Sequence, residues 1–231
     1  MFATPLNADA ETTHPFGHPK RVTLAGYDGD AMEPFVTRDG RFLLFNNRND
    51  PSVNTELHFA ERIDDLTFRY RGELKGVNTP ALEGVPTVDR HNTLYFVSTR
   101  SYDSTLSTVY RGAFNLGQVS AIELVPGISR KEPRLINFDV DVNLEGDTLY
   151  FVDAKFGRNG PETADTVIAR RAGAGFQRAR WRQAHEAHQH VRIGIRPLHL
   201  GGWADAVVYA GTPGCRSSII DLLVAPKKHR G

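Results

Sequence analysis

Residues 33–48 read EPFVTRDGRFLLFNNR, an acidic and Pro-containing lead-in, a polar turn, and a short aliphatic-aromatic run closed by Phe. The phrase returns as VPTVDRHNTLYFVSTR at 85–100 and as DVNLEGDTLYFVDAKF at 141–156. Phe45, Phe96 and Phe151 thereby fall at equivalent places, 51 and 55 residues apart. A period near 50 is too long for helical or leucine-rich repeats and fits one four-stranded blade per unit. The expected fold is all-β, a propeller of about four recognisable or degenerate blades, whole or incomplete.

Each unit carries the same local physics. The turns (Thr37-Arg38-Asp39-Gly40, Asp89-Arg90-His91-Asn92, Glu145-Gly146-Asp147) place Gly, Asn or Asp where a tight hairpin needs positive φ or a side-chain-to-backbone bond. The following runs, 42–45, 93–96 and 148–151, are β-branched, aliphatic and aromatic, as a strand buried on both faces requires. Segments 56–61, 107–111 and 166–170 alternate more and read as half-exposed strands. The stretches 46–55, 98–105 and 153–165 are rich in turn-forming polar residues and read as loops on one face.

Pro34, Asp39, Gly40, Phe45 and Arg48, and again Pro86, Phe96 and Arg100, form a pattern that resembles the WD40-like repeat of TolB-type β-propellers. The second copy has His91-Asn92 for Asp-Gly. The third replaces Pro by Asp141 or Val142 and lacks the closing Arg. The resemblance covers residues 30–171 and implies fold far more than function, because such propellers serve as binding platforms, peptidase appendages and carbohydrate-active domains. It divides a single domain into a partial blade or closing strand (1–29), blades at 30–79, 80–131 and 132–180, and a degenerate blade or out-of-register tail (181–231). Residues 14–22 resemble the connection before an outermost strand, so the first strand is expected to pair with the last blade. Residues 204–209 and 218–224 read as a central and an outer strand of the degraded unit.

From 173 to 202 the composition shifts to Arg, His, Gln and Ala, with Trp181 the first of only two tryptophans. An insertion or eccentric blade and a tail out of the ancestral coding frame both produce such a shift. Its histidines His185, His188 and His190, with His199 beyond, are the one dense imidazole group, but their spacings suit a helix and a strand in turn, so no metal site is read there.

The 231 residues are 40% hydrophobic and 24% charged with a formal net charge of +1, enough for a core and too balanced to recruit nucleic acid. No apolar run reaches the ~20 residues that cross a bilayer, and 1–13 lack the apolar core of a signal peptide. The chain as written therefore reads as cytoplasmic, whereas the TolB resemblance implies a periplasmic protein and a missing N-terminal portion. A lone Cys215 cannot form an internal disulfide. There is no Gly-x-Ser-x-Gly elbow and no phosphate-cradling glycine loop, so no cofactor and no nucleophilic catalysis are expected.

Two candidate sites remain. In a propeller the first strand of each blade lines the channel, which would gather Asp30, Glu33, Glu83, Glu132, Asp139 and Asp141 near one mouth; of these Glu33, Glu83 and Asp141 are the acids a glycoside hydrolase would use. The loops after the central strands would instead present Arg48, Asn49, Arg100, Tyr102 and Asp103 as a surface for a protein, peptide or glycan. The non-catalytic binding platform is the preferred reading and the carbohydrate-active enzyme its alternative.

Overall fold

The computed structural model describes residues 20–48, 54–158, 160–179, 198–200, 203–207 and 222–225. The first sheet contains β1 (Thr23–Ala25), β2 (Met32–Val36), β3 (Phe42–Asn46), β4 (Leu57–Arg62) and β5 (Thr67–Glu73), in the order β1-β5-β4-β3-β2. The second runs β6 (Glu83–Val88), β7 (Thr93–Ser98), β8 (Val109–Asn115) and β9 (Gln118–Leu124), with a one-turn helix α1 (Tyr102–Thr105) between β7 and β8. The third runs β10 (Leu135–Val142), β11 (Thr148–Gly157), β12 (Gly160–Ala172) and β13 (Gly175–Arg178). A small sheet of β14 (Leu198–Leu200), β15 (Trp203–Val207) and β16 (Leu222–Ala225) follows, with β15 in the middle. These strands overlap the expected 204–209 and 218–224; the remainder of both segments, like Asn49, His185, His188, His190 and Cys215, lies outside the described residues. Among the described residues no helix is long and apolar enough to cross a membrane.

The expected central strands are β3, β7 and β11. Leu43, Phe45, Leu94, Phe96, Leu149 and Phe151 are all buried. One apolar cluster joins the first two sheets through Phe42, Leu44, Leu94 and Phe96. A second joins the second and third sheets through Tyr95, Val97, Leu149 and Phe151. Successive residues of β7 thus serve different clusters, the consequence of period-2 alternation in a strand buried on both faces.

The turn is built three times alike. Gly40, Asn92 and Gly146 donate their amides to the carbonyls of Thr37, Asp89 and Asn143 at 2.7, 3.2 and 3.1 Å. All three have positive φ, +72°, +61° and +71°. Asn92 stands where the other copies use glycine, as the short polar side chain most tolerant of that region. The first turn residue also caps the next strand: Thr37 Oγ1, Asp89 Oδ1 and Asn143 Oδ1 accept the amides of Phe42, Thr93 and Thr148.

Three expectations are corrected. β1 pairs in parallel with β5 of its own sheet, Leu24 opposite Phe68, and not with the last sheet. Val22, Leu24 and Tyr27 pack there on the buried Phe45 and Phe68, so apolar side chains beside the first sheet decide the pairing. Second, 153–165 is not a loop. β11 and β12 zip through it, Asp153 opposite Asp165 and Lys155 opposite Thr163, because paired backbone needs no apolar side chains on an exposed ribbon. Third, the position of Pro34 and Pro86 is taken by Val140, not by Asp141 or Val142. Each of these three residues follows the bulge of its strand, where Glu33, Val85 and Asp139 have φ of +51°, +54° and +51°.

Candidate functional site: the bulged strands where three sheets meet

β2, β6 and β10 each end their sheet and bond directly to one another. The Val85 amide donates to Glu33 Oε2 at 3.2 Å and to Asn46 Oδ1 at 3.1 Å. One junction further on, Thr87 Oγ1 donates to Asp141 Oδ1 at 2.9 Å and accepts the Val142 amide at 3.3 Å. β2 and β6 begin at the end shared with the loops after β3 and β7, since Met32 pairs with Asn46 and Glu83 with Ser98. Glu33 and Glu83 therefore stand at the loop end, whereas Asp141, opposite Tyr150, stands at the other end, beside the turn that begins at Asn143.

The two junctions differ in chemistry. At the first, Glu33 and Asn46 aim their oxygens at the amide of Val85, and a Cβ on Gly84 would come within 3.4 Å of Glu33 Oε2. At the second, the same places hold Val85, Val97 and Phe138, which join the apolar cluster between the sheets. Asp139 is the bulge residue at this drier junction. Its side chain reaches the surface, yet desolvation by its surroundings pushes its carboxyl above the ordinary carboxylate range. Positive φ at a residue other than glycine, repeated in three sheets, is stored strain of the kind that gathers at functional sites.

Glu83 belongs to the architecture. Fully buried, it accepts bonds from Thr79 Oγ1 and Ser98 Oγ at 2.8 and 2.7 Å and pairs with Arg100 at 3.1 Å, while its other oxygen accepts the Thr79 amide at 2.8 Å. Arg100 is committed with it: its guanidinium also donates to the Val77 carbonyl at 2.6 Å and lies over the rings of Phe96 and Tyr110. A fork held on that many sides is not offered to a ligand. Of the remaining loop residues, Arg48 and Asp103 are exposed, and half-buried Tyr102 donates its hydroxyl to the Leu135 carbonyl at 3.2 Å. Among the other acids, Asp30 is exposed and accepts the Tyr27 hydroxyl on its carbonyl, and Glu132 lies 3.6 Å from Lys155. Among the described residues no group of three or more His, Cys, Asp and Glu could hold a metal ion.

No protein-family model matches the chain, and no curated protein matches it. Among solved structures it is similar to Zg3597, a family 117 glycoside hydrolase produced by the marine bacterium Zobellia galactanivorans, with a TM-score of 0.46 and 11% identity over 71% of this chain. The chain spans 61% of the length of that hydrolase.

Two arginines that the sequence reading passed over matter more here than those it chose. Arg38, at the second position of the first turn, donates to the Val88 carbonyl at 3.0 Å and the Val142 carbonyl at 2.6 Å, so one side chain of the first sheet grips the second and the third. Burial pushes its guanidinium below the ordinary value, with Asp141 and Asp89 opposing. Arg178 in β13 bonds the buried Asp153 and the Ile128 carbonyl. The repeat itself held the clue: a third copy without its closing Arg but with an acid at 153 needs a cation from elsewhere.

Proposed function

We propose that the chain is a non-catalytic binding platform of the β-propeller type, a TolB-like repeat protein that takes a protein, peptide or glycan on the face formed by the loops after β3 and β7. One observation supports this above others. The acids a hydrolase would need are already employed: Glu33 accepts a backbone amide of the next sheet, Asp141 a hydroxyl of the previous one, and Glu83 an arginine, two hydroxyls and an amide. A general acid and base pair stands open to substrate about 5–9.5 Å apart, and carboxylates holding sheets together do not serve that end. On the loops after β3 and β7, exposed Arg48 and Asp103 and half-buried Tyr102 bring a cation, a carboxylate and an aromatic ring, a mixture suited to directional bonds and stacking. Peptide and glycan arrays probed with the purified protein test the reading. For any ligand found, Asp103→Ala and Arg48→Ala are expected to weaken binding at least tenfold while Glu33→Gln leaves it within twofold; the reverse pattern overturns the platform.

A carbohydrate-active reading draws on a different observation, the desolvated carboxyl of Asp139, since a general acid must keep its proton near neutrality. Incubation with a polysaccharide panel decides it. Release of reducing sugar that disappears in Asp139→Asn establishes the enzyme, and its absence across the panel leaves the platform.

A further inference from the structure

His58 on β4 is buried, 6% exposed, and stands at the centre of an aromatic group contributed by three other segments. Its ring stacks on Phe45 of β3 at 5.5 Å and 16°. Tyr70 of β5 lies 5.9 Å away and bonds Nδ1 through its hydroxyl at 2.9 Å. Tyr27, just beyond β1, closes the group from outside, 5.7 Å from His58, 5.1 Å from Phe45 and 4.8 Å from Tyr70. Nε2 has no hydrogen-bond partner. A neutral imidazole tolerates that site at the cost of one unmade bond, whereas an imidazolium has to leave a charged N–H without an acceptor.

The segment that lies over the imidazole is slight. β1 is three residues long and pairs only with β5, and Val22, Leu24, Tyr27 and Ala31 are the side chains it and its flanks lay on the first sheet. Lifting them would bring water to His58 without disturbing β2 to β5. We propose that residues 22–31 form a strap released by acid, with His58 as its clasp: protonation of the imidazole detaches Tyr27 and β1 and bares the flank of the first sheet around Phe45 and Phe68.

The charged and titratable groups around the clasp are few. Glu56, two residues before it, favours the imidazolium but is outweighed by burial, which holds His58 below the usual histidine range. Glu73 is its register partner on β5, and burial raises the phenols of Tyr70, with Glu73 and Glu56 lesser causes, and of Tyr27, with Tyr70 and Asp30 lesser causes. The sign follows. A histidine held below its unfolded value binds fewer protons when clasped, so the strap loses stability as pH falls from the unfolded value of about 6.5 toward the folded one.

Hydrogen exchange read by mass spectrometry between pH 7.5 and 5.0, corrected for the intrinsic pH dependence of exchange, tests the strap on the full chain. Protection of 22–31 is expected to fall at least tenfold toward acid while β3 and β7 stay protected. In His58→Phe, which keeps a ring and removes the proton site, the strap is expected to stay protected throughout; in Tyr27→Ala it is expected to be open at every pH. Protection of 22–31 that does not change with pH, or that falls equally in His58→Phe, overturns the proposal. Should His58→Phe misfold, judged by loss of protection in β3, His58→Gln supplies the same comparison without a titrating ring.

Discussion

Arg100 and Arg178 occupy one position in two sheets, although Arg100 lies in the turn after β7 and Arg178 ends β13. Each guanidinium lies 5.3 Å from the ring of the repeat-equivalent phenylalanine, Phe96 or Phe151. Each donates to a carbonyl that follows a positive-φ glycine, Val77 after Gly76 and Ile128 after Gly127. The acids have exchanged strands: Glu83 on β6 faces Ser98, and Asn137 on β10 faces Asp153. The fold keeps a buried cation and carboxylate at this place and lets the sequence choose which segment supplies them.

Removing the cation should therefore be costly. Arg100→Ala leaves the Glu83 carboxylate buried without its charge partner, and a loss of about 3–5 kcal/mol is expected from denaturant unfolding. The double variant Glu83→Gln, Arg100→Met is expected to recover more than half of that. A midpoint unchanged in Arg100→Ala would show the pair to be ornamental.

The turns allow a matched comparison. Gly40→Ala is expected to cost about 1–2 kcal/mol through its left-handed backbone, whereas Asn92→Gly at the equivalent place should change stability by a few tenths of a kcal/mol. Equal losses in both would mean that the two turns are not the same device.

Asp139 gives a pH dependence of opposite sign to that of His58. Its carboxyl is raised in the fold, so the native state holds its proton longer, and its stabilising share is present at low pH and lost as pH rises through the folded value. Asp139→Asn is expected to be more stable than the parent at pH 7, with the difference shrinking as pH falls toward 4. A difference that is constant with pH would trace to the better fit of Asn to positive φ alone.

Arg38→Leu keeps an apolar stem over Phe35 and removes two hydrogen bonds to other sheets. Two carbonyls lose a donor, and a cost of about 2–4 kcal/mol is expected, at 1–2 kcal/mol each. Unfolding should also lose cooperativity, with the third sheet exchanging amide hydrogens faster than the first.

The central strands and turns were legible because their causes are local: four or five residues carry both the apolar run and the residue that tolerates positive φ. The bulges were not, since Glu33, Val85 and Asp139 share no side-chain chemistry and only the register between strands exposes the extra residue. Of the acids read as lining the channel, Glu33, Glu83, Asp139 and Asp141 stand on β2, β6 and β10 while Asp30 and Glu132 precede those strands, and the roles of Glu33 and Asp141 as acceptors depend on Val85 and Thr87 of neighbouring sheets. Arg100 was read as a loop residue because its sequence neighbours are polar, and nothing near it in sequence announces Glu83 or Val77. Long-range partners are what a linear reading loses.

The bond from Arg38 to Val142 joins residues 104 positions apart. During synthesis the first sheet can close on itself as soon as residue 73 has emerged, since its strands pair with near neighbours. Its second-position arginine can take the Val88 carbonyl once β6 has emerged, but its bond to Val142 waits until β10 has been made and brought alongside. Closure of that contact cannot precede the synthesis of β10, and it reports that the first sheet has met the start of the third.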